Sequence, residues 1–245
     1  MATVPLQSFG ADGAHLTYDP IAQTLYVTQL GMGLDVVDAR TRQITAKLPQ
    51  LAGAGPTMFD HDFVYVATGP STVAIVAKQV WQEVGSWSVT GSVAAMWADL
   101  PADRLYVLSS GGQVGVYAGG QAPRSVGTYH VDGALSGAGT LLPEQHELLL
   151  GAGSSVLGLD TNSGQSRQLA SLSAAVSGMA VDQETGYLWA TTADHKVSLV
   201  DVLSGRVLGS LPAPSSAAVS IDQPMRSAYT FGRGSFGAYD ANTNE

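Results

Sequence analysis

The chain has 245 residues, enough for one large domain with a sizeable core. Its 45% hydrophobic and 13% charged residues exclude a disordered chain, and a net charge of −9 with only three lysines (Lys47, Lys78, Lys196) leaves no basic field for nucleic acid or an anionic membrane surface. With no cysteine there are no disulfides, thiolate metal ligands or cysteine nucleophiles.

From the N-terminus, Met1 to Asp19 carries neither a basic n-region nor an apolar h-region, so no secretory leader is read there. Residues 4–9, Val4-Pro5-Leu6-Gln7-Ser8-Phe9, form a short strand pattern that precedes the first full repeat. That repeat covers 14–50 and centres on Leu25-Tyr26-Val27. The same short apolar segment returns as Val64-Tyr65-Val66 in 55–90, Leu105-Tyr106-Val107 in 93–130 and Leu148-Leu149-Leu150 in 134–172. It returns again as Leu188-Trp189-Ala190 in 175–211 and Ala228-Tyr229-Thr230 in 216–245. The spacings are 39, 41, 43, 40 and 40 residues, which marks an internal repeat.

Acidic residues keep the same phase. Asp19, Asp99, Asp182 and Asp222 stand seven residues before the central residue; the shortened second repeat has Asp60, and the fourth has Leu142. Asp38, Asp160, Asp201 and Asp240 follow it by eleven or twelve residues, with Ala77 and Ala118 in repeats two and three. Aspartate at a strand end bonds nearby backbone amides and starts a turn, so these residues read as structural caps. In repeat five the turns leave four strands: Val176–Val181, Tyr187–Thr191, Lys196–Val200 and Gly205–Leu211. Ser171 to Met179 is rich in Ala and Ser, but the repeat phase overrules a helix there, and almost no helix is expected anywhere.

Six repeats of four short strands predict an all-β fold: a six-bladed β-propeller of four-stranded antiparallel blades, one domain over 1–245. The last repeat stops after its third strand, and residues 4–9 resemble a fourth strand such as Arg206–Leu211. The N-terminal strand is therefore expected to complete the sixth blade, with Pro5 tolerated on an outer edge. The longest uncharged run, Leu105 to Pro123, is broken by Gly, Ser and Gln, so no membrane insertion is expected.

Asp19-Pro20-Ile-Ala-Gln-Thr-Leu-Tyr-Val-Thr28, followed by a strand ending in aspartate, is similar to the YVTN-type β-propeller repeat. The resemblance covers nearly the whole chain and implies the propeller fold. Such propellers include surface-layer and cell-surface binding proteins, lactonases and dehydrogenase subunits, so it implies a binding or scaffold role or an enzyme. The shared residues belong to the repeat itself, and no catalytic residue carries over. The resemblance implies an extracytoplasmic setting if a leader has been removed, and a cytoplasmic one otherwise.

In such blades the loops before the first strands share one face with the turns between second and third strands. Sorting charges on that basis puts 21 of 31 on the opposite face and leaves only Asp12, Asp132, Asp194, Lys196 and Arg233 on the first. The first face also carries Leu30, Met32 and Leu51, candidates for an apolar docking rim. The ligand-binding candidates lie there too: Asp12 with His15, His130 with Asp132, Asp194 with His195, and Arg233.

Several motifs fail in context. Gly232-Arg-Gly234-Ser-Phe-Gly237 fits G-x-G-x-x-G but links two strands, where a dinucleotide needs a helix N-terminus. His146-Glu147 lacks the second histidine of a zinc helix, because position 150 is leucine. The asparagines Asn162, Asn242 and Asn244 all fall in rim turns, unlike the channel ligands of calcium-dependent lactonases. No cofactor or metal is expected. The sequence points to a non-catalytic module binding a protein or polymer partner through its charge-poor face. The alternatives are a lactonase-like hydrolase or lyase using His15, His130 or His195 as base, and an accessory subunit of a larger assembly.

Overall fold

The computed structural model describes residues 14–29, 31–213, 218–223, 225–232 and 235–241. They form six consecutive antiparallel sheets, and the fold is a six-bladed β-propeller. The chain divides into two compact units, Met1–Tyr129 and His130–Glu245.

The first unit holds three four-stranded blades. Blade 1 comprises β1 (Ala14–Asp19), β2 (Thr24–Gln29), β3 (Gly33–Asp38) and β4 (Gln43–Leu48). Blade 2 comprises β5 (Thr57–Phe59), β6 (Phe63–Ala67), β7 (Thr72–Ala77) and β8 (Gln82–Ser88), and blade 3 β9 (Val93–Asp99), β10 (Arg104–Ser109), β11 (Gln113–Ala118) and β12 (Arg124–His130). In the second unit, blade 4 comprises β13 (Leu135–Leu142), β14 (Glu147–Ala152), β15 (Ser155–Asp160) and β16 (Ser166–Ser171). Blade 5 comprises β17 (Val176–Asp182), β18 (Tyr187–Thr192), β19 (Lys196–Asp201) and β20 (Val207–Pro212). Blade 6 shows β21 (Ala218–Asp222), β22 (Ser227–Gly232) and β23 (Ser235–Asp240) among the described residues. Residues 4–9, expected to supply its fourth strand, lie outside the described residues. Among the described residues, helix is confined to two 3-10 turns, Pro49–Leu51 and Pro143–Gln145, and Ser171 to Met179 is strand and loop as the repeat phase requires.

Sequence pattern explains each strand's place in its blade. Second strands such as Phe63–Ala67 and Tyr187–Thr192 are nearly continuous buried runs, because both blade faces are covered by neighbours. Fourth strands alternate: Gln43–Leu48 and Gln82–Ser88 expose every other side chain, as blade-edge strands do. The core lies between blades. Tyr26, Leu34 and Val36 pack on Val64, Val66 and Val76, and Tyr65 and Ile75 pack on Met96, Leu105 and Val107. Trp189, 1% exposed, fills the same role between blades 5 and 6.

The aspartates cap their turns. One Asp19 oxygen accepts the N–H of Ile21 and Ala22, both at 3.0 Å, and Asp60, Asp160 and Asp201 repeat that pair of bonds on Asp62 and Phe63, Asn162 and Ser163, and Leu203 and Ser204. Beside these caps every blade carries one further tie. The residue after the third strand donates its N–H to the residue before the second: Ala39 to Gln23, Lys78 to Asp62, Gly119 to Asp103, Thr161 to His146, Val202 to Gly186 and Ala241 to Arg226. Five of these six acceptors have left-handed backbone, with φ from 50° at Asp103 to 70° at Gly186.

The other loop set is tied separately. Gly31 donates to Ala52, Val89 to Ser71 and Ser110 to Ser92 in the first unit; Gly153 donates to Ala134, Ala193 to Ala175 and Ala213 to His195 in the second. Turns between second and third strands thus share a face with the loops leading into first strands, as the charge sorting assumed.

Candidate functional site

The charge-poor face of the first unit is built by the β2–β3 turn and the loop after β4. Gly33 lies at φ +93°, and a Cβ there would stand 2.2 Å from the Leu48 carbonyl oxygen, so the turn approaches the end of β4 as only glycine allows. A groove of about 290 Å³ opens beside it, lined by Val27, Gln29, Met32, Asp35, Lys47 and Pro49. Met32 is 44% exposed. Leu51, expected on the same rim, is instead 3% exposed: the 3-10 turn over Pro49–Leu51 folds its side chain into the cluster of Tyr26, Leu34 and Leu48. Leu30 lies outside the described residues.

Asp12 and Arg233 also lie outside the described residues. His15, in β1 of the first unit, stays solvent-exposed, yet desolvation by the surrounding protein lowers its pKa from the ordinary imidazole value. In the second unit His130 Nε2 lies 3.3 Å from Asp132 Oδ1, with side chains 64% and 99% exposed, so water screens the pair. Asp194 is saturated with donors: Lys196 Nζ at 2.8 Å, the Thr192 hydroxyl at 2.6 Å and the Ser173 hydroxyl at 2.9 Å. Hydrogen bonds from Lys196 and Thr192 hold its carboxyl well below the usual carboxylate range. His195 beside it has φ 59°, bonds Thr192 through its N–H and accepts from Ala213, so its backbone shapes the turn. Among the described residues, no three His, Asp or Glu side chains gather in a geometry that could hold a metal ion.

The opposite, charged face departs from expectation in two ways. Its turns carry very exposed apolar side chains: Ile21 at 71%, Val80 at 59%, Leu203 at 83% and Met225 at 69%. Exposed apolar side chains are therefore not confined to the other loop set. The same face also carries buried ion pairs between successive blades that sequence reasoning missed. Lys78 Nζ lies 2.7 Å from Asp19 Oδ2, and Arg226 Nη1 lies 2.7 Å from Asp182 Oδ1. The partners are 59 and 44 residues apart, and the repeat period near 40 residues is the one signal that could have brought them together.

Comparison with known proteins finds no matching family profile and no matching curated protein.

Proposed function

We propose that the chain is a non-catalytic binding module that engages a protein or polymer partner through the charge-poor loop face of its first unit. The observation that carries this reading is Met32, a flexible apolar side chain exposed at the mouth of a groove of about 290 Å³. Val27 and Pro49 offer that groove apolar surface, while Gln29, Asp35 and Lys47 offer polar groups to fix register.

Affinity capture from the natural source, quantified by mass spectrometry, tests the proposal with wild type, Met32→Glu and Leu203→Glu as baits. Leu203 is 83% exposed on the other face and serves as the control. Burying the unpaired Met32→Glu carboxylate in the contact should weaken partner retention about tenfold or more, while Leu203→Glu retains it. Equal retention by all three overturns the assignment.

A further inference from the structure

Two seams on the charged face, between blades 1 and 2 and between blades 5 and 6, hold an aspartate of one blade against a cation of the next. Each aspartate that ends a first strand uses one oxygen to cap its own turn, and the following blade can address the carboxylate from across the seam. Between blades 1 and 2 the addressing group is Lys78, placed immediately after β7. Its ammonium contacts Asp19 Oδ2 at 2.7 Å and the Asp60 carbonyl at 2.5 Å, and lies 4.8 Å from the Phe59 ring centroid. Between blades 5 and 6 the addressing group is Arg226, placed immediately before β22.

Blade 3 repeats this geometry without the cation. Asp60 is the structural counterpart of Asp19: one oxygen caps Asp62 and Phe63, and the other accepts the Tyr65 hydroxyl, as Asp19 accepts that of Tyr26. The position of Lys78, immediately after the third strand and tied by its N–H to the residue before the second, is occupied in blade 3 by Gly119. The position of Arg226 is occupied by Asp103, with the same left-handed backbone. A Cβ at Gly119 would lie 2.6 Å from Asp103 Oδ1 and 3.4 Å from Asp60 Oδ2, so the missing side chain would point at two carboxylates. Asp60 Oδ2 receives neutral donors, the Tyr65 hydroxyl of its own blade and, from across the seam, the Gly120 N–H at 3.4 Å.

A cleft of about 190 Å³ occupies this place, lined by Asp60, His61, Asp62, Asp99, Asp103 and Arg104 among others. Arg104 leans on the carbonyls of Ala102 and Asp103, at 3.5 and 3.2 Å. We propose that the cleft between blades 2 and 3 binds a primary alkylammonium group from outside the chain, in the position that Lys78 fills between blades 1 and 2. The carboxylates of Asp60 and Asp103 receive its charge.

The ammonium can come from a lysine side chain of a partner or from a free diamine. Calorimetric titration at low salt with Nα-acetyl-lysine methylamide and with 1,5-diaminopentane separates these sources, and Nα,Nε-diacetyl-lysine methylamide is the uncharged control. Binding of both amines indicates a lysine side chain, and binding of the diamine alone indicates a free diamine. In either case the control does not bind, and affinity falls as salt rises. Asp103→Asn keeps a residue that tolerates left-handed backbone and should weaken binding about threefold to tenfold. Gly119→Lys supplies an internal ammonium; it should abolish binding and leave the thermal midpoint equal or higher. The proposal is overturned if wild type binds neither amine, if the acetylated control binds as well, or if Asp103→Asn binds like wild type.

Discussion

Replacing Lys78 with methionine tests how the blades of the first unit are held together. The Lys78 side chain is 14% exposed and that of Asp19 2%, so the variant strands a carboxylate in the protein interior. Removing one partner of a buried ion pair costs about 3–5 kcal/mol. Asp19 keeps the N–H groups of Ile21 and Ala22 and the Tyr26 hydroxyl at 3.2 Å, each contributing about 1 kcal/mol, and the methionine still covers the Phe59 ring. The expected loss therefore lies at the low end of that range, about 3 kcal/mol, a urea midpoint lower by about 1 M. The pH dependence carries a sign. Desolvation pushes the Asp19 carboxyl up, but the Ala22 N–H, the Lys78 ammonium and the Tyr26 hydroxyl outweigh it and hold the folded pKa below the ordinary value. Its contribution is therefore complete above the unfolded carboxylate pKa of about 3.9 and is lost as pH falls through the lower folded value. In Lys78→Met that acid limb should begin at a higher pH. Asp19→Asn combined with Lys78→Met should cost less than the sum of the two singles. A midpoint within about 0.5 kcal/mol of wild type, together with an unchanged acid limb, would refute the buried-pair reasoning.

Two more outcomes follow from positions described above. Gly205 has φ +70°, and a Cβ there would meet the Leu169 carbonyl oxygen at 2.2 Å; Gly205→Ala should lose more than about 2 kcal/mol in denaturant melts, and a near-neutral result would contradict that close approach. Desolvation, together with the carboxylates of Asp19 and Asp60, pushes the Tyr26 and Tyr65 hydroxyls far above the ordinary phenol value, so ultraviolet titration should find both still protonated at about pH 11 while the protein stays folded.

The repeat made the architecture legible. Tyr26, Tyr65, Tyr106, Leu149, Trp189 and Tyr229 fall at the centres of the six second strands, and the phased aspartates mark the strand ends they cap. Which turns share a face could be read for the same reason, since a fixed strand count fixes where each turn emerges. Side-chain direction inside an irregular loop could not. Leu51 looks like any rim leucine until the 3-10 turn after Pro49 rotates it inward. Ile21 and Leu203 sit in turns whose backbone is held by Asp19 and Asp201, which leaves their side chains facing water. The seam pairs were hidden because Lys78 and Asp19 meet only once two blades have packed. The cleft at Gly119 was hidden further, being visible as a gap only against the neighbouring seam.

The two oxygens of Asp19 divide their labour, one closing its own turn and the other reaching Lys78 of the next blade. Shape and adhesion are therefore written in different atoms. Where a seam carries such a pair, a blade graft could keep every turn intact and still succeed or fail on a single charge, because the transplanted blade must match the ion its host offers there.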